Sequence, residues 1–298
     1  MIRVLIYGHA GWIGQQIIQC LKQNTQIQII LGGRIWECRD LEKELQETQP
    51  DRVICLIGRT HGQIGEQVYT TIDYLEQKGK VFDNVRDNLY SPILLARLCE
   101  KMGIHMSYMG TGCIFEYDEE HRVPSSVEDR SPSGFKEDSS PNFRGSAYSI
   151  VKGFTDMLIQ TYENVLNVRI RMPITHTRHP RNFITKITKY EYICSIRNSM
   201  TVLDELLPLL VDMILQKQVG TINLVNPGAI THNEILEMYR EIVDPTFTWK
   251  NFSAEEQSRI LSAGRSNNYL DTTQLEKLYP HVANIRDAVR KCLLNMKE

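Results

Sequence analysis

The sequence opens with a short apolar run that stops at three glycines, each two intervening residues from the next, RVLIYGHAGWIG, and no other stretch limits the fold so tightly. Arg3 to Tyr7 reads as a buried strand, and from Gln15 to Gln23 the pattern turns helical. A chain that passes from strand to helix over Gly8, Gly11 and Gly14 can turn sharply, bring the amides around Trp12 and Ile13 to an anion, and lay the helix close on the sheet. Glycine turns between strand and helix need bind nothing. Strand, glycines and helix in this order are nevertheless the arrangement of a dinucleotide-binding βα unit.

The same rhythm continues through the first half. Ile27 to Leu31, Val53 to Ile57, His105 to Met109 and Val168 to Met172 read as strands, separated by helical patterns over Asp40 to Thr48, Asn84 to Met102 with an early Pro92, and Ala147 to Tyr162. Val- and Ile-rich strands alternating with helices predict an α/β fold, a Rossmann-like, doubly wound parallel sheet covered on both faces. Beyond Pro173 the alternation loosens into short mixed elements punctuated by Pro180, Pro208, Pro227, Pro245 and Pro280. The expected division is a nucleotide-binding domain over 1–172 and a smaller, partly interleaved C-terminal substrate lobe over 173–298. With 298 residues and 42% hydrophobic content the chain can bury a large core, and no internal repeat is present.

The charges are mixed, with a formal net of -2 and a pI near 6.5, so the basic surface that nucleic acid or an anionic membrane requires is missing. The N-terminal apolar run is too short for a signal peptide and no window reaches membrane-spanning length, which predicts a soluble, cytoplasmic protein. Cys20, Cys38, Cys55, Cys99, Cys113, Cys194 and Cys292 are odd in number, scattered and free of any CxxC pair, so reduced thiols and no metal site are expected.

The end of the second strand bears on which dinucleotide binds. An acidic residue there would bond the ribose 2'-hydroxyl of NAD, and a basic one would accept the 2'-phosphate of NADP. The sequence offers Gly32, Gly33 and Arg34 and no carboxylate, which favours NADPH. Further on, AYSIVK places Tyr148 and Lys152 four residues apart and therefore on one helical face, whether or not that face is solvated. Beside a nicotinamide, a phenol next to an ammonium is a proton donor. Thr111, in GTGCIF after the strand from His105, would stand at the carboxyl end of the sheet, where a hydroxyl can share the hydrogen bond to a substrate carbonyl.

The glycine spacing is of the short-chain dehydrogenase type, and the remaining motifs carry the resemblance further. YGHAGWIG, TGCIFEYD, GFKED, PNFRGSAYS, RMPI, PRNFITKI, NSMTVLDELLP, NPGAITHNEILEMYR and RSNNYLD resemble extended short-chain dehydrogenase/reductases of the dTDP-4-dehydrorhamnose reductase kind. They resemble still more closely the plant bifunctional 3,5-epimerase/4-reductases that act on UDP-4-keto-6-deoxy-glucose. The likeness runs nearly end to end, except that the stretch between Thr60 and Ile72 is several residues longer than the plant pattern. It implies reduction by NADPH, with Tyr148 donating the proton, Thr111 sharing the carbonyl oxygen and Lys152 also holding the nicotinamide ribose. It further implies an epimerising pair at Cys113 and Lys186, with Lys189 one turn later as the alternative to Lys186. Taken alone, an isolated cysteine reads as core and the lysine as helix surface. Arg181, Asn182, Arg265 and Asn267 are candidates to hold a UDP diphosphate, and Trp249 either stacks a base or packs the core. The expected substrate follows a UDP-glucose 4,6-dehydratase, and relatives of this fold often form homodimers. A reductase without epimerase activity and a non-catalytic NADP-binding regulatory subunit are the other readings.

Overall fold

The computed structural model describes residues 1–35 and 38–297, with the side chains of all but 38 and 297. Six strands form the main sheet in the hydrogen-bonded order β2-β1-β3-β6-β7-β9. They are β1 (Ile2–Tyr7), β2 (Ile27–Leu31), β3 (Arg52–Cys55), β6 (His105–Thr111), β7 (Val165–Ile170) and β9 (Gly220–Asn223). β1 pairs in parallel with β2 and β3, with Val4 opposite Ile29 and Arg52, and Val53 of β3 lies opposite Met106 of β6. Met106 N–H donates to Asn164 C=O and Gly112 N–H to Ile170 C=O, a constant offset that makes the β6–β7 pair parallel as well. This is the Rossmann-like, doubly wound arrangement expected from the alternation.

The helices are α1 (Trp12–Lys22), α2 (Cys38–Thr48), α3 (Val81–Val85), α4 (Ser91–Lys101), α5 (Ala147–Ile159), α6 (Phe183–Ile187), α7 (Leu203–Leu215), α8 (His232–Ile242), α9 (Ala254–Ile260), α10 (Thr273–Leu278) and α11 (Ile285–Lys297). The helical pattern from Asn84 to Met102 is realised with a π turn, Arg86–Tyr90, between α3 and α4. Pro92 lies in the first turn of α4 and has no N–H to give the Asn88 carbonyl one turn back; the Thr155 hydroxyl of α5 supplies that bond at 2.6 Å. The longer Thr60 to Ile72 stretch contains a small antiparallel hairpin, β4 (Gly62–Ile64) and β5 (Gln67–Tyr69). Two further strands, β8 (Tyr192–Ile193) and β10 (Lys250–Asn251), pair in parallel.

By its internal contacts the chain forms two compact units. The first comprises Met1–Thr111, Ser146–Arg169 and Leu207–Ile222; the second comprises Gly112–Gly145, Ile170–Leu206 and Asn223–Glu298. The chain therefore passes between units five times. In the first unit Leu5, Tyr7, Val53, Cys55, Leu95, Cys99, Met106 and Tyr108 pack into one apolar core; in the second, Ile174, Ile184, Met200, Leu236, Val289 and Leu293 belong to another. β7 begins three residues before the expected Val168 because Asn167 and Arg169 are buried and bonded to Asp156 of α5, so polar side chains occupy a fully buried strand. Among the described residues no helix is long and apolar enough to cross a membrane.

Candidate active site

β1 runs into Gly8, whose φ of 79° lies in the left-handed region, and a Cβ there would meet the Leu56 backbone at 2.8 Å. At Gly14 a Cβ would stand 2.6 Å from the Gly8 carbonyl oxygen. Gly11 donates to that same carbonyl at 3.0 Å and then caps α1. α1 carries no side-chain cap and no acidic residue in its first turn, so its positive end faces no carboxylate of its own. The residues present fit a dinucleotide pyrophosphate: tight turn, close backbone approach and a helix N-terminus. Gly8→Ala should destabilise the protein by about 1–3 kcal/mol, the scale of a strained left-handed residue, and weaken NADPH binding. Thermal unfolding and calorimetric titration check both, and an unchanged Tm with unchanged affinity would remove the turn from the site.

At the end of β2, Arg34 is exposed. A Cβ on Gly32 would strike the Tyr7 ring at 2.6 Å, which fixes glycine at that position. The structure also brings a carboxylate to this strand end that the local sequence did not offer. Glu44 of α2 accepts from Gly33 N–H at 2.8 Å and from the Tyr7 hydroxyl at 2.6 Å. Each of its oxygens thus already holds a protein donor.

Thr111 ends β6. Tyr148 and Lys152 occupy the start of α5, which Ser146 caps by accepting the Ser149 amide, while Ala147 N–H donates to Glu76 at 2.7 Å. Tyr148 is 9% exposed and Lys152 4%, so the face they share is turned inward rather than solvated. Lys152 Nζ donates to the Tyr108 hydroxyl, lies 4.5 Å over that ring, and has Met109 C=O at 3.4 Å. Burial, and then the charges of Cys55, Tyr148 and Asp156, push the Tyr108 phenol well above its ordinary pKa. It stays neutral and holds the ammonium without competing as an anion.

In the second unit, Lys186 lies on α6, and burial, then Arg181, then Arg265 hold its pKa below the ordinary lysine value. An amine so placed exchanges protons nearer neutral pH. Lys189 is exposed, whereas Lys186 is half-buried. Arg181 and Arg265 both act electrostatically on Lys186, and cations so grouped are suited to a diphosphate. Asn182 serves the helix instead: fully buried, it caps α6 through the Ile184 amide and donates to the carbonyls of Thr175 and Thr177. Asn267 Oδ1 accepts from Asn198, which ties it into its own unit. Trp249 bonds Asn233 through Nε1 and stacks on Phe247 at 5.8 Å, a packing role. Among the described residues no group of His, Cys, Asp and Glu is arranged to hold a metal.

Sequence reasoning passed over Tyr108, Glu44 and two residues of the second unit, Arg171 and His232. The available signal for Arg171 was its place two residues after Arg169 in an otherwise apolar run, since a buried charge requires a reason. His232 opens α8 with Nδ1 buried, and burial, then Arg171, lower its pKa to about 4. Because the folded value lies below that of the unfolded chain, this histidine costs nothing above about pH 6.5 and withdraws stability as the pH falls from there toward 4. His232→Gln should flatten that acid limb in denaturant titrations at several pH values; an identical slope in both proteins would disprove the assignment.

No protein-family model matches the chain. An uncharacterised protein of Acanthamoeba polyphaga mimivirus is 49% identical over 294 residues, 98% of each chain. The bifunctional dTDP-4-dehydrorhamnose 3,5-epimerase/dTDP-4-dehydrorhamnose reductase of Arabidopsis thaliana is 40% identical over 288 residues, 96% of this chain and 91% of the plant protein. The chain belongs to this bifunctional epimerase/reductase family. Among solved structures, the UDP-rhamnose synthase of Acanthamoeba polyphaga mimivirus matches with a TM-score of 0.92 at 47% identity, covering 99% of both chains. A dTDP-4-dehydrorhamnose reductase from Clostridium acetobutylicum, at 17% identity, TM-score 0.77 and 98% of both chains, shares the fold.

Proposed function

We propose that the protein converts UDP-4-keto-6-deoxy-glucose to UDP-L-rhamnose, inverting C3 and C5 and then reducing the C4 ketone. The observation that carries this reading is Lys186, a half-buried lysine whose pKa burial and the charges of Arg181 and Arg265 hold below the ordinary value, as an acid of epimerisation requires. The C3 and C5 protons are alpha to the carbonyl, so a base on one face and an acid on the other invert each centre through an enolate. Cys113 is the base and Lys186 the acid, while Arg181 and Arg265 hold the diphosphate. Thr111 and Tyr148 hold the C4 oxygen, and Tyr148 protonates it on reduction. Lys152, held by Tyr108, stabilises the phenolate that remains. When bound on the turn of Gly8, Gly11, Trp12, Ile13 and Gly14 with Arg34 at the 2'-phosphate, NADPH supplies the hydride to C4.

The 4-keto substrate must come from a sugar-nucleotide dehydratase, and the curated plant relatives include trifunctional proteins named for a UDP-glucose 4,6-dehydratase besides these two activities. The free thiols and the reductive chemistry suit the cytoplasm. Val81, Phe82 and Tyr90 before α4, with Ile150, Phe154, Met157 and Leu158 on α5, leave large apolar side chains exposed, which suits a homodimer formed through these helices. The deciding experiment is incubation with UDP-4-keto-6-deoxy-glucose and NADPH or NADH, followed by identification of the sugar. UDP-L-rhamnose formed preferentially with NADPH is expected. A product of unchanged C3 and C5 configuration would leave only a reductase, and no oxidation of either cofactor would leave a binding subunit.

A further inference from the structure

We infer that Arg171 is the counter-charge of the Cys113 sulfur, a positioning residue through which that thiol acts as the base of epimerisation; the inference rests on the epimerase reading of Cys113 above. Arg171 is 1% exposed. Its Nη2 donates to Asn198 Oδ1 and to Ser266 C=O, each at 2.8 Å, whereas Nε and Nη1 are buried with no hydrogen-bond partner among the described residues. A buried cation bare at two nitrogens is expensive and demands an explanation. The explanation lies along its stem. A Cβ on Gly112 would meet Arg171 Cγ at 2.9 Å, so the backbone that carries Cys113 runs against the arginine side chain.

The other groups that face Arg171 do not supply an anion. Among the described residues, Cys113 and Tyr117 are the ionisable groups that act on it electrostatically. Tyr117 donates its hydroxyl to Arg197 C=O at 2.9 Å, and burial pushes its phenol far above the ordinary range, so it remains neutral. His232 meets Arg171 as a neutral imidazole. Cys113, partly exposed and next to the Gly112 backbone that packs on the Arg171 stem, is the remaining ionisable neighbour of Arg171. Met172, the next residue, is a non-glycine at φ 39° directly before Pro173, the kind of backbone strain that a functional geometry maintains.

In the step itself the Cys113 thiolate takes a ring proton and becomes S–H, and the C–H electron pair moves into the enolate. The Lys186 ammonium then gives a proton to the opposite face and is left as an amine. Solvent returns one proton from sulfur to nitrogen. Arg171 matters where the sulfur is negative, before each abstraction.

The test uses the full-length enzyme as Arg171→Met, which removes the charge and keeps an apolar stem, and Arg171→Lys, which keeps the charge; circular dichroism and NADPH binding report folding. Two quantities are followed against pH: deuterium uptake from heavy water at C3 and C5, and alkylation of Cys113 by iodoacetamide, with Cys113→Ser as the blank. Arg171→Met should lower both rates at neutral pH by roughly tenfold, the scale of one lost charge contact, and Arg171→Lys should recover most of the loss. Superimposable profiles for Arg171→Met and wild type would overturn the inference. If Cys113→Ser keeps wild-type exchange, the epimerase reading of Cys113 fails instead, whatever Arg171 does. Should Arg171→Met not fold, the wild type decides: anionic iodoacetate should gain severalfold on neutral iodoacetamide at Cys113 compared with free cysteine. A ratio no higher than that of free cysteine overturns the proposal.

Discussion

Tyr148→Phe will leave the protein folded and able to bind NADPH while slowing reduction by roughly two orders of magnitude or more, the scale of losing a general acid. The substitution removes one hydroxyl from a side chain that is 9% exposed, and phenylalanine fills the same space. Lys152 keeps its bonds to Tyr108 and Met109 in the variant, so the ammonium stays where it is and the loss belongs to the missing proton. Single-turnover oxidation of NADPH, with cofactor affinity measured separately, resolves the two effects. Wild-type rates would mean that the inward helix face is packing and that another group protonates C4.

The second large effect is expected from Cys113→Ser. A serine hydroxyl is a far weaker acid than a thiol and does not ionise at working pH, so the ring protons lose their base although the side chain differs by one atom. Deuterium uptake at C3 and C5 should fall by roughly a hundredfold or more, the range of general-base losses. Formation of rhamnose should recover when a separate 3,5-epimerase is supplied. Lys186→Ala should impair the same exchange less severely, because water can reach the opposite face. Undiminished exchange in Cys113→Ser would show the thiol to be a filler of apolar space, as an isolated cysteine ordinarily is.

Much of this was legible in the sequence because it depends on local pattern. The apolar run into Gly8, the alternation of strands and helices, and the spacing of Tyr148 and Lys152 each lie within a few residues of chain, where periodicity and turn chemistry operate. What escaped was assembled from distant segments. Glu44 reaches the end of β2 from α2. Tyr108 meets Lys152 across 44 positions of chain, and Arg171 is shaped by Asn198 and Ser266. β9 is four residues, GTIN, too short and too polar to stand out. The start of β7 was missed for the opposite reason, since Asn167 and Arg169 look like solvent-facing residues until Asp156 is placed beside them.

The five passages of the chain between compact units also set a schedule for synthesis. β7 pairs on one side with β6, and its other neighbour is β9, which ends at Asn223. A nascent chain shorter than that presents the entirely buried strand Val165–Ile170 as an open edge, a surface to which another unfinished chain can add. The first unit therefore cannot complete its sheet until Gly220–Asn223 has been made, and until then β7 is an edge open to pairing.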